Sequence, residues 1–282
     1  MIVVTGATGQ LGRSITEKLL ARCPPEEIGV SVRDPRKAGD LAHRGVRVRQ
    51  GDFDDPASLA RAFEDASQVL IVSGPADPRP HRVAIEAAKA AGVRRILYTS
   101  HMGASPVSPF PAMPAHAETE QDLLSSGVPF TALRNGFYAA NGIQLMGQAL
   151  RTGKLIAPED GPVSWTAHAD LADAAATALT DDGRLDGITP PLTSLEAFDF
   201  ADVAATASEL TGRQITRVTV ADDEWVFGLT SHGVPEQQAR FLLGIFQASR
   251  QGEFAATSPV LADLLGRKPI AFRDLLAATL AS

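Results

Sequence analysis

Thr5-Gly6-Ala7-Thr8-Gly9-Gln10-Leu11-Gly12 joins the β-branched run Ile2-Val3-Val4 to a segment in which Leu11, Ile15 and Leu19 fall at i, i+4 and i+8, one face of a helix. A strand that passes through such a turn into a helix needs its glycines for separate reasons. One makes the tight turn, a second lets backbone approach a pyrophosphate, and a third permits close helix–strand packing. The helix start then presents unpaired N–H groups and the positive end of its dipole to the phosphates. A glycine pattern alone is weak support and can be a purely structural turn. Here strand, turn, helix and a following strand are all in place, and the stretch reads as a dinucleotide-binding turn.

Outward from it, short apolar runs alternate with helical patterns, the sequence form of a parallel sheet flanked by helices. Six strands are expected: Ile2 to Thr5, Ile28 to Arg33, Val46 to Arg49, Val69 to Ser73, Arg95 to Thr99 and Phe130 to Leu133. Asp55-Pro56 places a cap and an N1 proline before Leu59 and Phe63, so the cluster Asp52 to Asp55 doubles as a helix start. Beyond about residue 150 the pattern becomes mostly helical, with one strand expected at Ile215 to Val220. Phe200, Val203, Ala204, Ala207 and Leu210 form one stripe, and Leu261, Leu264 and Leu265 another. The expected architecture is α/β: a Rossmann-like doubly wound parallel sheet over residues 1–150 and a smaller, mostly helical C-terminal substrate lobe over 151–282. The alanine-rich segment of about 166–180 is expected to pack back on the first domain.

The composition is near the average of globular chains. The chain has 282 residues, 44% apolar and 21% charged, long enough for one large or two modest domains with a substantial core. No apolar stretch is long enough for a membrane span. Lys+Arg 26 against Asp+Glu 33 gives a net charge of −7, which disfavours broad nucleic-acid binding. A lone cysteine, Cys23, excludes an internal disulfide and a Cys-rich zinc site. With no basic, apolar leader at the N-terminus, a cytoplasmic location is expected. No His/Glu pair at helical metal spacing, Gly-x-Ser-x-Gly elbow or Gly-x-x-x-x-Gly-Lys-Ser/Thr loop occurs, so no metal, hydrolase or kinase site is expected.

The tip of the second strand bears on the choice of cofactor. NAD enzymes place an acid there for the ribose 2′-hydroxyl, and NADP enzymes an arginine nearby. This chain has Arg33, then Asp34, Arg36 and Lys37. A guanidinium matches a phosphate bidentately and keeps its charge at any working pH, so NADP(H) is preferred over NAD(H). In the alternative, the arginines are solvated loop charges and Asp34 reads the hydroxyl.

Further stretches widen the picture: Arg33-Asp34-Pro35, Gly51-Asp52-Phe53-Asp54-Asp55, Val72-Ser73-Gly74-Pro75, Tyr98-Thr99-Ser100, His116-Ala117-Glu118-Thr119-Glu120, Leu133-Arg134-Asn135-Gly136-Phe137-Tyr138, Asp170-Leu171-Ala172 and Leu265-Gly266-Arg267-Lys268-Pro269. Together with the glycine turn they resemble the NmrA-like branch of the atypical short-chain dehydrogenases/reductases, within it the NADPH-dependent quinone oxidoreductase and triphenylmethane reductase type. The resemblance covers almost the whole chain. It implies that Gly6, Thr8, Gly9, Gln10, Leu11 and Gly12 hold the pyrophosphate and Arg33 the 2′-phosphate. Asp52 and Phe53 would border adenine, and Ser73, Gly74 and Pro75 the ribose and nicotinamide side. Ser100 and His101 after the fifth strand, and Asn135, Gly136 and Phe137 after the sixth, complete the implied cofactor contacts.

Ordinary short-chain reductases use a tyrosine and, four residues on, a lysine that lowers the phenol pKa. Here His116 stands at the lysine position and Ala112 at the tyrosine position, with Pro106, Pro109, Pro111 and Pro114 expected to break any helix between. Hydride donation to a quinone or cationic dye demands less of a protein acid than carbonyl reduction does. His116 and Tyr138 are the candidate catalytic residues. For His116 a helix cap, and for Tyr138 core packing, are the alternatives. His43, His81, His168 and His232 read as surface or packing residues, and Trp165, Trp225 and Phe227 as either a substrate wall or core.

The expected function is an NADPH-dependent oxidoreductase that passes hydride to a quinone or similar electron-poor, conjugated small molecule. The expected partner is that acceptor, with neither nucleic acid nor membrane, and a homo-oligomer is open. A non-enzymatic NADP(H)-binding redox sensor acting through a protein partner is the alternative. An isoflavone-type reductase or sugar-nucleotide epimerase is disfavoured by the missing tyrosine.

Overall fold

The computed structural model describes residues 1–181 and 183–281. The expected strands form as β1 (Ile2–Thr5), β2 (Ile28–Val32), β3 (Arg47–Gln50), β4 (Gln68–Ile71), β5 (Arg95–His101) and β6 (Phe130–Asn135). Three more follow: β7 (Lys154–Ala157), β8 (Gly187–Ile188) and β9 (Thr216–Thr219). The helices in chain order are α1 (Gln10–Leu20), α2 (Gly39–His43), α3 (Pro56–Phe63), α4 (Pro78–Ala90), α5 (Ala112–Ser126), α6 (Ala139–Leu145), α7 (Ala149–Thr152) and α8 (His168–Thr180), then α9 (Phe200–Thr211), α10 (Asp222–Ser231), α11 (Glu236–Arg250), α12 (Val260–Leu265) and α13 (Phe272–Leu280).

Strand side chains alternate between two cores, as a sheet covered on both faces requires. Ile2, Val4, Ile28, Val30, Leu70 and Leu97 join α1 and α8 on one face, and Val3, Val69, Ile71, Ile96 and Tyr98 join α3, α4 and α5 on the other. Every pairing is parallel, in the order β3-β2-β1-β4-β5-β6-β8. The sheet is Rossmann-like and doubly wound. Its order reverses between β1 and β4, and the crevice beyond their carboxyl ends is where open α/β sheets take ligands.

Local chemistry explains the helix starts. Asp55 accepts from the N–H groups of Ala57 and Ser58, and Asp77 from that of Arg79, each just ahead of an N1 proline; such a cap contributes about 1 kcal/mol. The prolines before His116 do not break α5 as expected. Pro114 is its third residue, where no intrahelical N–H partner is lost, so Ala112 and His116 share one continuous helix.

The second half holds more strand than the sequence suggests. β7 pairs with β9 in a separate two-stranded parallel sheet, and the two-residue β8 extends the main sheet beside β6. Both segments are too short to show a period, and their pairing comes from the edges they meet. β5 and β6 are longer than expected because they pair through His101↔Asn135, so these two residues end the strands instead of following them.

Small side chains let α8 approach α1 closely, and Lys18 of α1 and Arg22 just beyond its end both reach Asp173 of α8, at 2.8 and 3.2 Å. Asp170, fully buried, takes the Arg267 guanidinium at 2.7 Å and the Ile270 N–H at 2.6 Å, which ties the C-terminal segment to α8. A separate aromatic core holds Phe137, Trp165, Phe200, Phe246, Phe254 and Phe272. Trp165 is therefore core, Trp225 packs half-buried on Phe246, and Phe227 is exposed.

Candidate active site

The glycine turn sits at the carboxyl end of β1. Gly6 adopts φ +61°, a left-handed value that favours glycine, and its N–H donates to the Ser31 carbonyl at 3.1 Å. Gly12 faces the same turn from inside α1: a Cβ there would lie 2.8 Å from the Gly6 carbonyl carbon and closer still to its oxygen. Gly9 begins α1 with no side-chain cap, and the first turn carries no acidic residue. Thr8, Gly9 and Gln10 are exposed, whereas Leu11 is core. The helix start is thus open and electropositive. A cleft of ≈ 520 Å³ opens beside it, between α1, α6, α8 and α13, lined by Gln10, Ser14, Ala140, Ile143, His168 and Leu275 among others.

At the tip of β2, Asp34 is already committed. Its carboxylate caps the following turn at the Arg36 N–H, 3.1 Å, and grips the Arg36 guanidinium at 2.9 and 3.0 Å. Arg33 is exposed and has no hydrogen-bond or ion-pair partner among the described residues.

Beyond β4 and β5 lies a chain of imidazoles and a phenol. The Ser73 N–H donates to Thr99 Oγ1 at 2.8 Å, and Thr99 Oγ1 donates on to Ser73 Oγ at 3.0 Å. The Gly74 N–H donates to Nε2 of the buried His81 at 3.2 Å. Tyr98 Oη stands 2.8 Å from His116 Nδ1, and the His116 ring centroid is 5.9 Å from that of His101. The His101 ring sits edge-on to Phe137 and Phe254, at 5.1 and 5.4 Å. Burial lowers all three imidazoles: His81 to about 4, with Asp77 working the other way, His116 to about 3, and His101 well below its ordinary range. Burial raises the phenols, Tyr98 strongly and Tyr138 to about 12, where Asn135 opposes the shift. Burial thus disfavours charge on this cluster of imidazoles and phenols.

At the end of β6, Asn135 is buried and its Oδ1 has no partner among the described residues. Tyr138 stacks on His168 at 4.2 Å between ring centroids. An exposed Arg33, a cradle at Gly12 that a Cβ would fill, and the orphaned Asn135 Oδ1 fit a nicotinamide dinucleotide.

The candidate residues divide by position. Gly6 to Gly12, Arg33, Ser73, Gly74, His101, His116 and Tyr138 stand at the carboxyl edge of the sheet, and Phe53 lies edge-on to His81 at 6.4 Å. Asp52 is half-buried, its carboxylate accepting from the Asp54 N–H and its own N–H donating to Ser58 Oγ at 2.9 Å. Ser100 is turned elsewhere: its hydroxyl donates to buried Glu120 at 2.7 Å, which is paired with Arg134. Gly136 packs beneath Thr166 and Leu192, and Phe137 belongs to the aromatic core. Tyr98, Thr99 and His81 were missed as site residues. Tyr98-Thr99 lay in the quoted strand and only its pairing partners give it meaning; a histidine after Asp77-Pro78 carries no local signal of burial.

The chain belongs to the NAD(P)H-binding family, whose domain matches residues 6–182. It is 36% identical over 271 residues, 94% of each chain, to quinone oxidoreductase 2 of Escherichia coli. The crystal structure of the NADPH-dependent quinone oxidoreductase of that organism, in complex with NADPH, superposes with a TM-score of 0.93 at 33% identity, over 99% of this chain and 100% of that one. The triphenylmethane reductase of Citrobacter sp., in complex with NADP(H), gives 0.91 at 33% identity over 99% of each chain. Among the described residues no helix is long and apolar enough to cross a membrane.

Proposed function

We propose that this protein is an NADPH-dependent oxidoreductase that passes hydride to a quinone or similar electron-poor conjugated acceptor. Residues 1–150 would hold the cofactor and 151–282 close over the acceptor. The observation that carries the reading is the cluster at the crevice, with Tyr98 Oη 2.8 Å from His116 Nδ1, the His101 ring 5.9 Å from that of His116, and His116 in place of the lysine of a Tyr-x-x-x-Lys pair; burial disfavours charge on these groups. Such a lining orients and desolvates but supplies no strong acid, which suits an acceptor whose reduction needs none.

When bound, the reduced nicotinamide supplies the hydride. The turn from Gly6 to Gly12 holds the pyrophosphate at the open start of α1. Arg33 takes the 2′-phosphate, because Arg36 is held by Asp34 while Arg33 is exposed and unpaired among the described residues, and the Asp34 carboxylate is already drawn to Arg36; this favours NADP(H) over NAD(H). Asp52 and Phe53 border adenine, and Ser73, Gly74 and Pro75 the ribose. Asn135 and His101 reach the nicotinamide side, next to the acceptor that His116 and Tyr138 meet. The lone thiol, Cys23, is raised by burial and fits a reducing, cytoplasmic setting.

The test is binding of NADPH and NADH to the purified protein, then loss of reduced-nicotinamide absorbance with a panel of quinones and triphenylmethane dyes. Turnover with NADPH is expected. Tight binding with no consumption above buffer would turn the search to a redox sensor and its protein partner.

A further inference from the structure

The hydrogen bonds around His81 fix more than position. A backbone N–H can only donate, so Nε2 of His81, facing the Gly74 amide, is an acceptor and the ring proton sits on Nδ1. That proton goes to Thr119 Oγ1 at 3.0 Å, whose own hydroxyl donates to the Ala115 carbonyl at 2.8 Å. Nδ1 of His81, 3.5 Å from Tyr98 Oη, cannot take the phenol proton; Thr119 also acts on the phenol, but its hydroxyl already links His81 to the Ala115 carbonyl, and the short 2.8 Å contact is to His116 Nδ1, so Tyr98 donates there and His116 keeps its proton on Nε2. By a separate route, the Gly103 N–H donates to His101 Nδ1 at 3.1 Å, which puts the His101 proton on Nε2 as well. Neither Nε2 has a hydrogen-bond partner among the described residues, and both rings are half-buried.

We propose that His101 and His116 are a pair of fixed, neutral Nε2–H donors suited to the oxygen of a carbonyl-type acceptor, a quinone in preference to a cationic dye, and that Tyr98 and His81 are positioning residues that carry the setting of the Gly74 amide to His116. This rests on the reductase reading and sharpens its substrate class. Hydride transfer to a quinone moves two electrons and one hydrogen from the reduced nicotinamide, which becomes oxidised, and leaves a hydroquinone monoanion with its charge on oxygen. Two fixed N–H donors on rings 5.9 Å apart hold that anion more strongly than the neutral quinone, which is the difference that accelerates the step. The proton that completes the hydroquinone comes from water. The network cannot deliver it, since the inward path ends at His81, where giving up Nδ1–H would leave an imidazolate facing an amide. A triarylmethyl cation, in contrast, loses its charge on taking the hydride and gains nothing from N–H donors.

The experiment is long-range proton–nitrogen NMR of the full chain, ¹⁵N-labelled at histidine and bound to NADP⁺, with His101→Asn and His116→Asn used only to assign signals. Both rings are expected as neutral Nε2–H tautomers. In Tyr98→Phe, His116 is expected to become a tautomer mixture. The ratio of naphthoquinone to cationic triphenylmethane dye turnover should then fall about tenfold through kcat, with the KM for NADPH held. A wild-type His116 protonated on Nδ1 overturns the proposal even if the variant does not fold, and so does an equal loss on both acceptors in Tyr98→Phe. If no acceptor consumes NADPH while both rings show Nε2–H, the reductase reading and the acceptor half of the proposal fail together and the tautomer assignment stands.

Discussion

Asp34 holds Arg36 through both carboxylate oxygens, Oδ1 to Nε at 2.9 Å and Oδ2 to Nη2 at 3.0 Å, while Oδ1 also accepts the Arg36 N–H. The pair is solvent-facing and contributes little stability. Its consequence is a division of labour: of the two arginines at the tip of β2, one is occupied and the other, Arg33, is available.

Arg33→Ala should therefore weaken NADPH binding by tenfold or more and leave NADH binding nearly unchanged, the loss of one charge-assisted phosphate contact. Arg36→Ala should have a smaller effect and should improve NADH relative to NADPH, because it frees Asp34. Fluorescence titration of both cofactors against both variants checks this. Equal losses for NADH and NADPH in Arg33→Ala would remove the 2′-phosphate assignment.

Gly12→Ala drives a methyl group into the Gly6 carbonyl, and backbone on both sides cannot yield without moving the turn. A destabilisation of about 1–3 kcal/mol is expected, together with loss of cofactor binding, since the turn that shifts is the turn that holds phosphate. Thermal unfolding with and without NADPH measures both; a variant that keeps the wild-type Tm and the ligand-induced rise would contradict the packing argument.

Acid should unfold the protein through its histidines as well as its carboxylates. Unfolded imidazoles take up protons below about 6.5, whereas folded His81 does so only near 4 and His116 near 3. Between those values the unfolded chain binds more protons, so stability falls as pH is lowered from 6.5 towards 4, by up to about 3 kcal/mol for His81 alone. Denaturant titrations of wild type and His81→Asn across pH 4–7 should show a shallower slope in the variant. Turnover, for the same reason, should show no imidazole titration between pH 5 and 8.

Buried Glu120 and half-buried Arg134 form a two-point ion pair, Nε to Oε1 at 2.9 Å and Nη2 to Oε2 at 2.7 Å. Arg134→Ala leaves buried Glu120 with only the Ser100 hydroxyl among the described residues and should cost about 2–4 kcal/mol, less than a fully buried pair because Arg134 is partly exposed, whereas replacing both charges together with apolar residues should restore much of it. Chemical denaturation of the single and double variants decides this. A cost under 1 kcal/mol for Arg134→Ala would mean that the carboxylate finds water.

Much of the framework was legible because its signals are local. The alternation of Ile2, Val3 and Val4, the glycine spacing and the aspartate caps before prolines each act within a few residues. β7 and β8 were not legible, since four- and two-residue strands are made by the edges they meet. Pro114 misled because a proline reads as a helix breaker unless its place in the first turn is known.

The sequence by itself determined a doubly wound sheet with a phosphate-ready turn at β1 and a basic tip at β2, because both depend on residues adjacent in the chain. Only the tertiary structure decided which arginine is available, that Ser100 faces Glu120, that His81 turns its Nδ1 to Thr119 and that Tyr98 meets His116. Those residues come from α4, β5 and α5. Which proton each imidazole keeps depends on groups that meet across the fold, and no spacing along the chain encodes them.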